Sequence, residues 1–304
     1  MSTFNAYMAL SGAYDADVAR NEQLSHHTTY RIGGPADLVV TVHSYQALLR
    51  TIDTLTREGV EWVILGRGSN VLVADAGYRG CVILLGREFS KINFADDGIV
   101  SAGAGALLSK LVNETLSHSL TGLECCVGIP GTVGGAVSMD AGTRHDWIGS
   151  RVVDLVTLRP GDGLHRYEGS EIEWGYRYCS VPTNEIILEA TFELADAEKD
   201  VVAANMERLI ARRRKRQPLG KPSCGSVFKN PPGHSVGQLI DSCGLKGYTV
   251  GAAQVSEVHA NFIVNRGGAK AADVLSIIQH AHDCVAEKYG IDLVCEVKLL
   301  GFDA

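Results

Sequence analysis

The chain has 304 residues, 45% of them hydrophobic and 21% charged, with 34 glycines. That composition excludes general disorder, and the length suits about two domains of roughly 150 residues, each with its own core. Lys and Arg number 28 against 35 Asp and Glu, a net charge of −7, which disfavours a nucleic-acid binder that works by neutralising phosphates.

Ala36–Val42 (ADLVVTV) reads as a strand, and Ser44 as the N-cap of a helix carrying Ala47, Leu48, Ile52 and Leu55 at helical spacing, closed by Gly59. Glu61–Leu65 reads as the next strand, completing a crossover unit that runs into GRGSN at 66–70. VLVA and CVILL follow as strands, residues 105–119 as a helix, and 128–142 as a second glycine-rich segment, GIPGTVGGAVSMDAG. Val152–Leu158 and Glu185–Leu194 read as strands flanking the aromatic patch WGYRYC at 174–179. Asp200–Arg216 reads as a helix with Val202, Met206, Leu209 and Ile210 on one side, stopped before Pro218, and Gln217–Ser223 as a linker. Beyond it come GSVFKN (225–230), a helix near Val236–Cys243, a strand Asn261–Val264, a helix Lys270–Tyr289 and a last strand Leu293–Leu300. In that last helix Val274, Ile278, Ala281, Val285 and Tyr289 form an apolar stripe read as core.

No stretch approaches the roughly 20 apolar residues that span a bilayer, and Met1 to Arg20 lacks a basic start followed by an apolar run; a cytoplasmic protein is expected. The eight cysteines include no CxxC pair, so buried, reduced thiols are expected. No HExxH occurs, His280 and His282 point to different helix faces, and no metal site is expected.

Two glycine-rich turns after apolar strands suit a phosphate-bearing cofactor, because backbone N–H groups reach an anion only where side chains are absent. Each alone fits an ordinary tight turn equally well. GRGSNV lacks the third glycine of the Rossmann fingerprint, Val71 standing there, and neither GxxxxGK[ST] nor GxSxG occurs. The second segment, with Gly128, Gly131, Gly134 and Gly135 around Pro130 and Thr132, demands positive φ or close approach at several points. The pair favours a dinucleotide-type ligand over pure turn geometry. RRRKR at 212–216 reads as a solvated helix end favoured by the macrodipole, with steering of an anionic substrate as the alternative.

In order, the chain carries HTTYRIGGPADLVV (27–40), ILGRGSNVLVAD (64–75), GIPGTVGGAVSMDAG, YRYC (176–179), PSCGSVFKNP (222–231), GLKGYTVGAAQVSEVHANFIVN (244–265) and EVKLLG (296–301). Over roughly residues 24–301 these segments resemble the UDP-N-acetylenolpyruvoylglucosamine reductase (MurB) family, in the shorter subtype without a tyrosine-bearing loop insertion. The resemblance implies an α+β fold. An N-terminal extension (1–23) precedes a vanillyl-alcohol-oxidase-type FAD domain (24–197) of two subdomains, about 24–90 and 91–197. A smaller α/β substrate domain (198–304) follows. It implies non-covalent FAD held by Leu65, Gly66, Arg67, Gly68, Ser69, Asn70 and Val71 and by Gly128, Ile129, Pro130, Gly131, Thr132, Gly134, Gly135 and Ala136. NADPH is the implied electron donor.

The implied reaction reduces UDP-N-acetylglucosamine enolpyruvate to UDP-N-acetylmuramate, by hydride transfer from flavin N5 to the enolpyruvyl C3 and protonation at C2. Hydride arrival makes C2 carbanionic, so donors must stand ready where charge grows on the adjacent carboxylate. Arg177 matches the family arginine and offers a planar fork for that carboxylate; without the resemblance, packing among Trp174, Tyr176 and Tyr178 is an equal reading. Ser226 falls in the slot of the proton donor, though a Gly-Ser pair before a strand is more often a turn. Glu296 falls in the slot of the third catalytic residue, and strand alternation sets it on one face with Val294, Lys298 and Leu300. Lys229 and Asn230 resemble substrate contacts. The chain departs from the family where MNAG is usual: it has Asp140 in Met139-Asp140-Ala141-Gly142, followed by an unfamiliar TRHDW, so weaker cofactor affinity is one expectation. The alternatives are a non-catalytic flavin or nucleotide-sugar binding module, or another FAD oxidoreductase of this fold.

Overall fold

The computed structural model describes residues 2–13 and 15–302. Helix α1 (Thr3–Leu10) precedes strands β1 (Ala16–Gln23) and β2 (Pro35–Val42), helix α2 (Tyr45–Glu58), and strands β3 (Trp62–Ile64), β4 (Val71–Val73) and β5 (Tyr78–Leu85). Ser44 Oγ accepts from the Ala47 N–H at 3.0 Å and Gly59 closes α2 at φ 59°, as its sequence predicts. Strands β1, β2, β5 and β3 form a sheet in that order, with β3 parallel to β5, so the two strands flanking α2 share one sheet with β5 between them.

Next come β6 (Ile92–Phe94), β7 (Ile99–Gly103), α3 (Leu108–Ser117), β8 (Leu120–Thr121), α4 (Val133–Ser138), β9 (Val152–Arg159) and β10 (Gly163–Glu168). The short hairpin β11 (Trp174–Gly175) and β12 (Tyr178–Cys179) leads to β13 (Ile186–Glu193), β14 (Ala195–Asp196) and helix α5 (Lys199–Arg216). A five-stranded antiparallel sheet runs β10-β9-β13-β7-β6. At its edge the buried Glu185 carboxylate accepts from Thr157, from Tyr167 at 2.8 Å and from Arg159 at 2.6 and 3.0 Å. The last part adds α6 (Val236–Ser242), β15 (Thr249–Val250), β16 (Ala253–Val255), β17 (Ile263–Asn265), α7 (Ala271–Tyr289) and β18 (Lys298–Leu300), the last parallel to β4. The class is α+β.

The chain forms two compact units: the first comprises the chain up to Arg20, Leu38–Gly66 and Gly80–Arg212, the second Asn21–Asp37, Arg67–Arg79 and everything from Arg213. Compactness therefore does not follow the consecutive spans 24–197 and 198–304. The early segments 21–37 and 67–79 belong with the C-terminal part because Tyr30, Ile32 and Leu72 are buried in one core with Phe228, Ile263, Val274 and Ile278. The first unit holds two cores. One surrounds α2 (Leu38, Val40, Leu48, Ile52, Leu55) and the other α3 and the five-stranded sheet (Val100, Leu111, Leu155, Phe192).

Three expectations are corrected. Tyr289, read as the end of the α7 stripe, is 41% exposed, while Val274, Ile278, Ala281 and Val285 are buried; it is the last residue of α7, before the C-cap Gly290, so the last turn lies at the rim of the core. The cysteines are free thiols, but only Cys81, Cys125, Cys126 and Cys224 are buried; Cys179, Cys243 and Cys284 are half-buried and Cys295 exposed. The final strand is broken near Glu296, for a reason that bears on the site. Among the described residues no helix is long and apolar enough to cross a membrane.

Candidate active site

In the first unit the two glycine-rich loops touch. A Cβ on Gly66 would lie 2.6 Å from Thr132 Oγ1, so only glycine lets them approach this closely. Thr132 is the N-cap of α4, its Oγ1 accepting from Gly135 N–H at 3.4 Å. Gly128 (φ 73°) and Gly131 (φ 141°) take up backbone that L-residues rarely adopt, and Gly66, Gly128, Pro130 and Gly135 are exposed. Gly134 is held against Ala104, 2.7 Å from its would-be Cβ, so its lack of a side chain serves packing. Leu65 and Ala136 are buried, Ile129 half-buried.

Arg177 occupies the tip of the β11–β12 hairpin at φ 59°, a left-handed conformation that costs a non-glycine residue roughly 1–2 kcal/mol. Its guanidinium lies over the Tyr176 ring, 5.2 Å from the centroid. Beneath the hairpin sits Asp140, 5% exposed and itself at φ 41°. Its Oδ1 accepts from the Gly149 N–H at 3.0 Å. A Cβ on Gly149 would strike the Trp174 ring at 2.3 Å and Asp140 Oδ1 at 2.7 Å, so carboxylate, glycine and indole pack as one layer under Arg177. Burial pushes the Asp140 carboxyl up, against the opposing pull of the Gly149 N–H and the Arg177 charge.

That direction fixes the sign of a pH effect. A carboxyl raised in the folded state stabilises the fold when protonated, and this contribution is lost as pH rises above its ordinary value of 3.8. At pH 7 the buried charge is a cost. Asp140→Asn keeps the Oδ1 acceptor and deletes the charge, so the melting temperature at pH 7 is expected to rise by about 2 °C, the gain shrinking as pH falls toward 4. Thermal melts of both proteins across that range check it; an equal gain at every pH overturns it.

In the second unit Arg67 is exposed and Gly68 buried, the latter at φ 56° with a would-be Cβ 2.4 Å from the His27 carbonyl. Gly68 is thus required by the 27–28 turn that packs on it. Ser69, Asn70 and Val71 are half-buried. Asn70 Nδ2 donates to the Glu296 carbonyl at 3.1 Å, and its own carbonyl accepts from Lys298 N–H at 3.0 Å, which starts the β4–β18 pairing.

Ser226 and Glu296 are brought together by main-chain bonds. Phe228 bridges Cys295, and the amides of Glu296 (2.8 Å) and Val297 (3.3 Å) both donate to the single carbonyl of Val227, next to Ser226. Two residues facing one is the pattern of a β-bulge, which turns successive side chains the same way. Glu296 and Val297 are accordingly both buried, at 8% and 4%, while Val294 is 57% exposed. The expectation that Glu296 shares a face with Val294, Lys298 and Leu300 is corrected on this point. Asn261, 2% exposed and not singled out from the sequence, clamps the same segment: Oδ1 accepts from Phe228 N–H at 3.0 Å and Nδ2 donates to Phe228 O at 2.9 Å. The signal was an amide heading the apolar run NFIV. Lys229 is half-buried with its N–H on Val294 O, and Asn230 Oδ1 accepts from Val236 N–H at the start of α6. Cys224, two residues before Ser226, is pushed up to about 12 by burial and stays a neutral thiol.

A family model described as UDP-N-acetylenolpyruvoylglucosamine reductase, C-terminal domain, matches residues 217–300, and one described as FAD binding domain matches 36–160. The reductase of Syntrophotalea carbinolica is 42% identical over 93% of this chain and 94% of its own length. The chain belongs to the UDP-N-acetylenolpyruvoylglucosamine reductase family. The same-named protein of Moorella thermoacetica is 44% identical, covering 93% of both chains. The solved UDP-N-acetylenolpyruvylglucosamine reductase (MurB) of Thermus caldophilus superposes with a TM-score of 0.81 at 35% identity, over 94% of this chain and 98% of the other. It is therefore an FAD-dependent oxidoreductase family of α+β fold to which these loops belong. The exposed backbone at Gly66, Gly128 and Gly135, free of side chains, fits the diphosphate of such a cofactor.

Proposed function

We propose that this chain reduces UDP-N-acetylglucosamine enolpyruvate to UDP-N-acetylmuramate with NADPH as electron donor, Ser226 giving the proton to C2. FAD held by the loops 65–71 and 128–136 would supply the hydride chemistry, from NADPH to the enolpyruvyl C3. The bulge that buries Glu296 beside the Ser226 strand carries this reading, since a hydroxyl serves as an acid only beside a strong developing base with water kept out. Glu296 assists that protonation or orients the intermediate. Arg177 holds the substrate carboxylate in its planar fork as charge grows there; its left-handed backbone supports the assignment, because strain of this kind collects at functional sites.

The loop backbones 65–71 and 128–136 hold the cofactor, and Lys229 and Asn230 serve the diphosphate or sugar of the substrate. Functionally the FAD-binding part is 24–197, with 1–23 as an N-terminal extension and 198–304 as the substrate part. We read the protein as a cytoplasmic enzyme of small molecules, acting on neither nucleic acid nor membrane; the net charge of −7 supports the former. A monomer suffices for this scheme.

The protein is expected to purify yellow, to lose its flavin to the supernatant on acid precipitation, and to oxidise NADPH in proportion to added enolpyruvyl substrate. A colourless protein that takes up no FAD, or a flavin retained by the denatured chain, contradicts the cofactor assignment. Flavin binding with no substrate-dependent turnover leaves a binding module in place of an enzyme.

A further inference from the structure

Thr29 lies outside every segment assigned a role above, yet it joins two of them. Its N–H donates to the Gly68 carbonyl at 3.3 Å, and its Oγ1 donates to the Ser223 carbonyl at 2.8 Å, with Gly68 O also 3.4 Å from that hydroxyl. One residue thus ties the glycine loop 67–70 to the stretch that leads into Ser226.

The tie sits on a rigid base. Thr28 Oγ1 donates to Ile32 O at 3.0 Å and Arg31 N–H to Thr28 O at 3.2 Å, closing a turn whose Arg31 is left-handed at φ 55°. Asn265, 6% exposed, donates from Nδ2 to the Tyr30 carbonyl at 3.0 Å. On the other side, Ser226 is fixed downstream by Val227 N–H on Asn261 O at 2.9 Å. Upstream, the Pro222 carbonyl accepts from Asn265 N–H at 2.9 Å, Cys224 is buried in the core, and Gly225, at φ 80°, has Ser69 O as the nearest neighbour of its would-be Cβ at 4.0 Å. Glycine leaves that joint free to turn, and the Ser223 carbonyl, on Thr29 Oγ1, is the hold that ties the segment to the glycine loop.

We infer that Thr29 is a positioning residue for the proton donor: its hydroxyl, by holding Ser223 O, fixes the height of Ser226 against the glycine loop. The inference rests on the role proposed for Ser226. Misplacement of a reacting group by about 1 Å costs up to about 100-fold in rate, and releasing the anchor that joins the segment to the glycine loop should give part of that.

The test uses the flavin-loaded protein with Thr29→Val, which keeps shape and removes the hydroxyl, and Thr29→Ser, which keeps the hydroxyl. Stopped-flow rates of flavin reduction by NADPH and of reoxidation by the enolpyruvyl substrate are measured, together with amide exchange over 223–228. Thr29→Val is expected to slow reoxidation about tenfold, to leave reduction and flavin content near normal, and to speed exchange in that stretch; Thr29→Ser restores all three. Equal loss in both half-reactions, or normal reoxidation despite faster exchange, overturns the inference. Ser226→Ala runs alongside: near-normal reoxidation there sinks the donor assignment itself, while exchange in Thr29→Val still reports separately whether the tether holds the segment.

Discussion

Ser226→Ala and Glu296→Gln are each expected to lower turnover about 10²- to 10⁴-fold, the range for loss of general acid catalysis, with the double variant little worse than the poorer single. The reason is local to one pair of bridged segments. Val227, next to Ser226, receives both bulge amides, so the backbone that carries Ser226 and the backbone that carries Glu296 are joined by the same main-chain bonds. Groups that act on one proton in one step lose their effect together, which makes their separate losses non-additive. Gln at 296 preserves shape and the bulge while removing the charge, so its melting temperature should stay close to that of the parent. Reduction of the flavin by NADPH, which needs no proton at C2, should be nearly unchanged in all three proteins. Steady-state rates, single-turnover reoxidation and solvent deuterium at C2 of the product decide the matter. Fully additive losses separate the two residues into different steps, and near-normal turnover in Ser226→Ala leaves it a turn residue.

What was legible in the sequence was local. Helix α2 could be read to the residue from Ser44, the apolar spacing and Gly59, because capping and periodicity involve neighbours only. The glycine loops declared themselves by composition. Features made by distant partners were not legible. Alternation misplaced Glu296 because the bulge is created by a carbonyl on another strand, which leaves no mark on VCEVKLL itself. Cutting the chain into consecutive spans could not anticipate that Tyr30, Ile32 and Leu72 complete the C-terminal core. Gly68 and Gly134 stood out as ligand contacts, and each is also needed for packing, against the His27 carbonyl and the Ala104 Cβ. Asp140 stood out as a departure from MNAG, but its place under Trp174 and Gly149 required the fold. Family resemblance supplied the three candidate residues; the main-chain bonds around Val227 place the segments of two of them side by side.

Arg177 separates stability from activity most sharply. At φ 59° it pays the left-handed penalty at the tip of the β11–β12 hairpin, where glycine is the natural occupant. Arg177→Gly is therefore expected to stabilise the fold by up to about 1 kcal/mol, roughly 2 °C in a chain of this size, the lost contact with Tyr176 offsetting part of the relief. The same change should slow flavin reoxidation by the substrate about 10²- to 10⁴-fold, as removal of two charge-assisted hydrogen bonds implies. Arg177→Lys keeps the strained backbone and the positive charge but not the planar fork, so it should show no gain in stability and an intermediate loss of rate. In both variants reduction by NADPH should fall much less. Calorimetric melts and the two half-reaction rates, taken on the same preparations, test these opposite signs. A less stable Arg177→Gly protein makes the arginine a structural brace, since its side chain then holds the hairpin more than its backbone strains it. Equal losses in the two half-reactions make it a residue of shared binding, with no special bond to the carboxylate on which charge develops.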